Sequence, residues 1–300
     1  MRPPVEVRRF LHCNYNCNDV GHLERWYQPL FDLKPIMRTA TTGMDGTPFG
    51  IYDEVGSDTV FLYDHRGGRH SNSLELVQWT TPPTFGHPYP APWYRGMQSV
   101  GYQVEDLEAV ATRAVATGGT LVRRSADWLL LKDPEGVSVE VIRGEGPTTF
   151  STIRIVVSDM ERTLGWWKQL GFTETDEVPF IPGAEAYPDD GSHAVSEERA
   201  IVATDDPTFA LIFTTFSGPI PEGPTYAMPY HHALYRMAMA VDDVKASTAA
   251  LDELGIPRQP YYTFALPGTK LTDGLTILFI RDPDGILVEL VDRPRKLFAK

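Results

Sequence analysis

The chain has 300 residues and a composition ordinary for a globular protein, with 42% hydrophobic residues, and this length predicts about two domains. The formal net charge of -13 argues against nucleic acid or an anionic membrane surface as a partner. No apolar run is long enough to span a bilayer, and the N-terminal residues lack the apolar core of a signal sequence, so we expect a cytoplasmic protein.

Four segments of the chain begin alike, with an alternating, strand-like run that ends at an aspartate. The four aspartates are Asp19, Asp106, Asp159 and Asp243. Each is followed by apolar residues at helical spacing, so each is predicted to cap the N-terminus of a helix. Glycines at positions 118, 171 and 255 are predicted to end three of these helices.

Further strands follow each predicted helix, among them residues 59–63, 73–79, 128–131 and 275–280. The repeated unit is therefore one strand, one helix and about three strands. Proline-rich and aromatic-rich stretches at 80–96 and 217–231 separate units one from two and three from four. We expect units one and two to form an N-terminal domain, residues 1–146, and units three and four a C-terminal domain, residues 147–300.

Two of the units end in the same phrase. Residues 132–141 read KDPEGVSVEV, and residues 281–290 read RDPDGILVEL. Each phrase is a tight Asp-Pro-acid-Gly turn that leads into a strand. That strand carries one glutamate, Glu140 or Glu289, among apolar residues. A carboxylate in such a position is hard to explain by packing alone.

These units resemble the vicinal oxygen chelate superfamily, which includes glyoxalase I, bleomycin resistance proteins and extradiol dioxygenases. The resemblance lies in the strand–helix–three-strand unit, the aspartate before the helix and the Asp-Pro-x-Gly-x-x-x-Glu ending, and it covers nearly the whole chain. It implies an α+β fold in which four βαβββ modules pair into two curved open-barrel domains. Each domain encloses a cleft, which in this superfamily usually holds a divalent metal ion.

Alternation along the first strand sorts its residues by face. His12, Asn14 and Asn16 share one face, and the apolar face carries Leu11, Cys13, Tyr15 and Cys17. A polar face on a buried strand is expected to line a cleft, because buried polar groups need partners. Cys13 and Cys17 are predicted to be core thiols that do not bridge each other.

The resemblance places a metal site in the N-terminal domain. The superfamily's ligand positions correspond to His12, Glu75 and Glu140, a set that suits Fe, Mn, Ni or Zn. Ser99 is at the fourth corner, where water or substrate would lie, and His70 is the best placed alternative ligand. Asn14, Asn16, Ser99 and Gln103 are predicted to contact the substrate.

The C-terminal domain departs from this pattern. Its corresponding positions are Thr152, Arg236 and Glu289, and the last strand of unit three has no carboxylate. Arg236 beside Glu289 predicts an ion pair rather than a cation site. The alternative is an anion-binding site formed by Thr152, Arg154 and Arg236, which alternation places on inward faces. We therefore expect the second domain to be metal-free.

The resemblance implies a metal-dependent lyase or isomerase acting on a small oxygen-rich substrate, with Glu75 or Glu140 moving a proton. An extradiol dioxygenase is an alternative, although Ser99 and Arg236 stand where that enzyme expects a second histidine. The third hypothesis is a metal-free drug-binding protein, for which an acidic chain suits a cationic ligand. A small molecule is the expected partner, and the resemblance also allows a homodimer.

Overall fold

The computed structural model describes residues 5–68, 70, 72–220, 228–264 and 274–293. Module one contains β1 (Arg9–Asn16), α1 (Val20–Phe31), β2 (Lys34–Asp45), a short 3-10 helix (Thr47–Phe49), β3 (Glu54–Tyr63) and β4 (Ser73–Thr81). Module two contains β5 (Gly96–Val104), α2 (Leu107–Ala116), β6 (Thr120–Arg124), β7 (Trp128–Lys132) and β8 (Ser138–Arg143). Module three contains β9 (Thr149–Val156), α3 (Met160–Gln169), β10 (Thr173–Glu174), α4 (Gly183–Ala186), β11 (Val195–Ala203) and β12 (Asp206–Phe216). Module four contains β13 (Ala233–Val241), α5 (Val244–Glu253), β14 (Tyr262–Phe264), β15 (Leu275–Arg281) and β16 (Leu287–Asp292).

The predicted helix boundaries are confirmed. The four predicted aspartates lie directly before α1, α2, α3 and α5, and each accepts a hydrogen bond from the backbone N–H three residues later. Such a bond satisfies one of the donors that a helix N-terminus leaves free. The three predicted glycines follow α2, α3 and α5 with φ between 67° and 99°, a conformation that favours glycine. Within the described ranges, no helix has both the length and the apolar character needed to cross a bilayer.

The strands form two eight-stranded sheets, and each sheet is built from two modules. The first sheet has the order β14-β15-β16-β13-β1-β4-β3-β2, so it joins modules one and four. The second sheet has the order β10-β11-β12-β9-β5-β8-β7-β6, so it joins modules two and three. The predicted α+β architecture of four paired βαβββ modules is therefore confirmed.

The predicted choice of partners, module one with two and module three with four, is wrong. β1 lies antiparallel to β13, with Asn14 opposite Arg236, and β5 lies antiparallel to β9, with Ser99 opposite Arg154. The division between residues 146 and 147 therefore falls in the short connection between β8 and β9, inside the second sheet. The repeat pattern marks where each module begins, but its apolar positions are the same for either choice of partner.

A continuous hydrophobic core contains residues from both sheets. It includes Tyr15 of module one and Tyr102 of module two, and the rings of Phe10 and Phe209 stack with their centroids 4.0 Å apart. Cys13 and Cys17 are both buried free thiols, as predicted. Burial raises the pKa of both thiols, so they remain protonated and unreactive at neutral pH.

The two Asp-Pro-acid-Gly turns connect one sheet to a helix of the other. Glu135, in the module-two turn, accepts the backbone N–H groups of Asn18 and Asp19 at 2.8 and 2.9 Å, just before α1. Asp284, in the module-four turn, accepts the backbone N–H of Ser158 at 3.0 Å, just before α3. An acidic side chain is favourable at the positive end of a helix. The repeated phrase therefore cross-links the two sheets.

The first aspartate of the second turn predicts a measurable pH dependence of stability. Asp282 Oδ1 accepts the backbone N–H groups of Asp284 and Ile286 at 2.9 and 2.8 Å. Burial, with repulsion from Asp284, raises the pKa of Asp282 from its ordinary 3.8 to about 7. The folded state therefore binds the extra proton between about pH 4 and pH 7, and this group's contribution to stability is lost as the pH rises through that window.

We expect Asp282→Asn to keep a side-chain oxygen that accepts the same two backbone hydrogen bonds, while removing the titration. As the pH rises from 4 to 8, the unfolding free energy of the variant should increase relative to that of the wild type by roughly 4 kcal/mol, at about 1.4 kcal/mol per pKa unit. Urea unfolding at several pH values measures this difference, with the exposed Asp127→Asn variant as the control. An identical pH profile for Asp282→Asn and the wild type would contradict the prediction.

Candidate functional site

A cavity of about 320 Å³ lies against the first sheet, at β1, β3, β4, β13 and β16. Its apolar lining consists of Leu11, Met37, Phe61, Leu275 and Val291. The rest of the lining is polar and includes histidine, glutamate and arginine side chains. This volume and this mixture of a mainly apolar wall with a few polar groups are typical of a site for a small molecule.

A β-bulge brings His12 and its neighbour to the cavity. Phe10 lies opposite Met239 and His12 opposite Ala238, so Leu11 is the extra residue on β1. A bulge changes the direction of nearby side chains. As a result Leu11 lines the cavity beside His12, and the prediction that it shares the buried face with Cys13 is wrong.

Four side chains from four adjacent strands meet at the cavity wall, and we call them the first-sheet cluster: His12 on β1, Glu75 on β4, Arg236 on β13 and Glu289 on β16. Arg236 Nη2 donates to both carboxylate oxygens of Glu75 at 3.0 and 2.9 Å. Arg236 Nε donates to Glu289 Oε2 at 3.0 Å, which confirms the predicted ion pair. His12 Nε2 lies 3.5 Å from Glu75 Oε2 and 3.8 Å from Glu289 Oε2.

Arg236 and Glu289 remain ionised although they are buried. Burial works to raise the pKa of Glu289, but His12 and Arg236 outweigh it and the pKa is lowered. Burial likewise works to lower the pKa of Arg236, but the charges of Glu75 and Glu289 outweigh it and raise that pKa. Arg236 and Glu289 therefore form a buried pair of opposite charges at neutral pH.

His12 is the member of the cluster that is least engaged by the protein. Its side chain is 15% exposed and lines the cavity. Among the described residues, no atom makes a hydrogen bond to its Nε2. This nitrogen is itself buried, and an imidazole nitrogen can donate to, or accept from, a bound molecule that reaches it.

The two asparagines predicted to contact a substrate have different environments. Asn16 Nδ2 donates to the carbonyl oxygens of Pro229 and His231 at 2.7 and 2.9 Å, and Asn16 Oδ1 accepts from Trp79 Nε1 at 2.9 Å. These bonds give Asn16 a structural role. Asn14, opposite Arg236 and Glu75 in the sheet, is fully buried, and its amide has no hydrogen-bond partner in the described part of the chain.

Glu140 does not join His12 and Glu75, so the predicted metal set is divided between the two sheets. Glu140 lies on β8 of the second sheet, where Ser99 Oγ donates to it at 2.6 Å. Arg154 donates to it through Nε at 2.6 Å and through Nη2 at 3.0 Å, and the Tyr187 hydroxyl donates at 3.1 Å. The physical reason is the module partnership, which places modules one and two in different sheets.

The second-sheet cluster of Ser99, Glu140, Arg154 and Tyr187 is a closed ion-pair network. Arg154 is 1% exposed and also donates to Glu198 and, at 2.8 Å, to Thr214 Oγ1. The segment between β10 and β11 contributes Tyr187 to this network and packs against β7. Ser99, which was predicted to contact a substrate, is buried, and its hydroxyl is bound to Glu140 within the protein. Gln103, also predicted to contact a substrate, is half-buried beside Gly144.

The first-sheet cluster does not fit a divalent cation. A cation held by His12, Glu75 and Glu289 would have to lie where the Arg236 guanidinium already bonds both carboxylates. Two cations at such short range repel each other strongly. The described residues contain no group of three or more His, Cys, Asp or Glu side chains arranged to hold a metal ion. His70 lines the same cavity but belongs to no such group.

Sequence reasoning missed three arginines that line the cavity: Arg8, Arg9 and Arg293. Arg8 directly precedes β1, Arg9 is its first residue, and Arg293 directly follows β16. These residues are at opposite ends of the chain. Their proximity becomes visible only when modules one and four are placed in one sheet.

Comparison with known proteins identifies the same fold over almost the whole chain. The profile of the Glyoxalase/Bleomycin resistance protein/Dioxygenase superfamily matches residues 149–290. Glyoxalase I from Zea mays has a similar structure, with a TM-score of 0.67 and 20% identity over 95% of this chain and 92% of that chain. A putative dioxygenase from Bacillus subtilis has a TM-score of 0.64 and 11% identity over 97% of this chain and 87% of that chain. No curated protein sequence matches this chain.

Proposed function

We propose that this chain, of which residues 149–290 match the profile of the Glyoxalase/Bleomycin resistance protein/Dioxygenase superfamily, binds a small oxygen-bearing molecule in the first-sheet cavity and moves a proton on it without a resident metal ion. The superfamily includes enzymes such as glyoxalase I, and the fold places a polar cluster at the wall of a cavity. The observation that carries the proposal is the Arg236 guanidinium, which lies between Glu75 and Glu289.

Arg236 supplies the positive charge of this site. A fixed cation at the wall of a cavity stabilises an oxygen that gains negative charge during a reaction. The hydrogen bonds of Arg236 to described residues use Nε and Nη2. The Nη1 group is therefore the donor that remains for a substrate oxygen.

His12 is the proposed proton carrier. His12 lines the cavity, and its Nε2 is buried 3.5 Å from Glu75 and 3.8 Å from Glu289, whose carboxylates stabilise the imidazolium that forms when His12 accepts a proton. The proton that we propose His12 removes is one on the carbon atom next to a carbonyl group of the substrate. The resulting enolate oxygen would lie against Arg236.

The sequence-based hypothesis of a metal-dependent lyase or isomerase requires a cation in the place of the guanidinium. The dioxygenase alternative requires two histidines and a carboxylate around one metal ion, and the described residues form no such group. A metal-free binding protein is the second candidate. Such a protein would hold its ligand with the same arrangement around Arg236 but would catalyse no reaction.

The test combines metal analysis with a proton-exchange assay. The protein is dialysed against Zn, Fe, Mn or Ni salts, and the bound metal is measured by elemental analysis. Small neutral and anionic oxo compounds are then incubated with the protein in D2O, and exchange beside the carbonyl group is followed by proton NMR. We expect substoichiometric metal, chelator-resistant exchange of at least one compound, and a loss of about 10²–10⁴-fold in His12→Gln.

His22→Gln is the matched control, because His22 is exposed on α1 and lies outside the cavity lining. Its exchange rate should equal that of the wild type. One bound metal ion per chain, together with loss of exchange in chelator, would contradict the metal-free proposal. Saturable binding of a compound with no exchange would favour the binding protein.

A further inference from the structure

The first-sheet cavity has a strongly cationic end. Arg8, Arg9 and Arg293 line it together, and we call these three residues the arginine rim. The chain as a whole carries a formal charge of -13, so this local concentration of guanidinium groups opposes the charge of the protein. Asp205 lines the same cavity, and its Oδ2 lies 3.5 Å from Arg8 Nη1, so Arg8 is paired within the protein. Guanidinium groups at a cavity wall attract anionic ligands.

The protein itself holds the arginine rim in place. Arg8 Nε lies 3.0 Å from Asp242 Oδ1, and Arg8 also donates to the backbone carbonyl of Arg293. Arg9 Nη2 donates to Asn72 Oδ1 at 3.3 Å, and Asn72 is fully buried. Arg8 therefore joins the start of β1 to the end of β16, which brings Arg9 and Arg293 to the same cavity.

The surroundings of the rim lower the pKa of two of its arginines. Burial lowers the pKa of Arg9, and repulsion from Arg66, Arg293 and Arg8 adds to this despite the attraction of Asp206. Burial also lowers the pKa of Arg293, although Tyr63 and Glu289 act in the opposite direction. A bound anion would stabilise both guanidinium groups.

The rim and the first-sheet cluster belong to one cavity. Arg293 is close enough to Glu289 for their charges to interact, and both side chains line the same 320 Å³ space. One small molecule can therefore contact both groups. An arginine fork matches the geometry of a carboxylate or phosphate group, since it offers two parallel N–H donors.

From this geometry we infer that the ligand of the cavity is a small organic anion, whose carboxylate or phosphate group binds Arg9 and Arg293 while another oxygen lies against Arg236 and His12. The inference rests on the proposed function, since it names the class of molecule that the cavity takes. It replaces the expectation, drawn from net charge alone, that an acidic chain suits a cationic ligand.

Calorimetry with three defined probes tests the inference: succinate, inorganic phosphate and the neutral succinamide. Succinate and succinamide have similar shapes, so their comparison isolates charge. We expect succinate or phosphate to bind with an affinity that falls as salt is added, and succinamide to bind at least about tenfold more weakly. Arg9→Gln and Arg293→Gln should each weaken anion binding about tenfold or more.

Arg124→Gln is the control, since Arg124 is an exposed arginine at the end of β6 in the second sheet. Urea unfolding midpoints establish that the variants are folded. Equal affinity for succinate and succinamide, unchanged anion binding in Arg9→Gln and Arg293→Gln, or no binding of either anion would overturn the inference. Neutral compounds that still bind and exchange would then leave the proposed function standing. Binding of any probe only after zinc is added would instead contradict the proposed function.

Discussion

Replacing Arg154 with methionine is expected to lower the free energy of unfolding by about 3–5 kcal/mol, because the change leaves buried carboxylates without their counter-charge. Arg154 makes two hydrogen bonds to Glu140 and a further one to Glu198. Burial works to lower the pKa of Arg154, but the charge of Glu140 and its hydrogen bonds outweigh burial and raise that pKa. Urea unfolding at pH 7 measures the loss.

Two further variants separate this effect from a general loss of packing. Arg154→Met combined with Glu140→Leu removes the Arg154–Glu140 pair and should recover part of the stability, since a buried ion pair replaced by apolar residues is often neutral. Glu198 loses Arg154 in this variant but keeps its hydrogen bonds from the Gly183 N–H and the Thr214 hydroxyl. Arg124→Met removes an exposed partner of Glu108, with side chains 51% and 69% exposed, and should change stability by about 0.5 kcal/mol or less. A loss below about 1 kcal/mol in Arg154→Met would refute the proposed role of the network.

Replacing Arg236 with histidine is expected to give the protein a metal site that the wild type lacks. The guanidinium between Glu75 and Glu289 would be exchanged for a second imidazole near His12. Two imidazoles and two carboxylates form a donor set that suits Zn or Co. We expect calorimetry with Zn to show one site, and the Co-loaded variant to show visible absorption.

Metal-dependent stability gives a second measurement of the same change. Zn at a hundredfold excess over the dissociation constant should raise the unfolding free energy of Arg236→His by about 2.7 kcal/mol. Ser99→His is the matched control, because Ser99 is at the corresponding position of the second sheet, where Arg154 already engages Glu140. It should gain no site. Equally tight Zn binding by the wild type would show that Arg236 does not exclude the metal.

The modules of the fold are readable from the sequence because their signals are local. An N-cap depends on an aspartate such as Asp19 and the three residues that follow it, and the end of a helix depends on one glycine such as Gly118. The ion pair of Arg236 with Glu289 was also predictable. Both residues belong to module four, so strand alternation within that module is enough to place them on one face.

Which residues form the site was not predictable, because this depends on which modules pair in one sheet. Whether Glu75 meets Arg236 or Glu140 depends on whether module one pairs with module four or module two, and both choices bury equivalent apolar faces. The β-bulge at Leu11 is a second feature that strict alternation did not predict, since a single extra residue changes which side chains face the cavity. Neither feature leaves a signal in local spacing.

Modules two and three, which form one sheet, lie in sequence between modules one and four, which form the other. This arrangement also constrains the order in which the chain folds. The second sheet pairs modules that are adjacent in sequence, whereas β1 of the first sheet pairs with β13, near the other end of the chain. Closing so long a loop is slow, because its entropy is lost before the contacts form. During synthesis module one must therefore wait, with one sheet edge uncovered, until module four has been made. The cavity with its arginine rim can assemble only after that step.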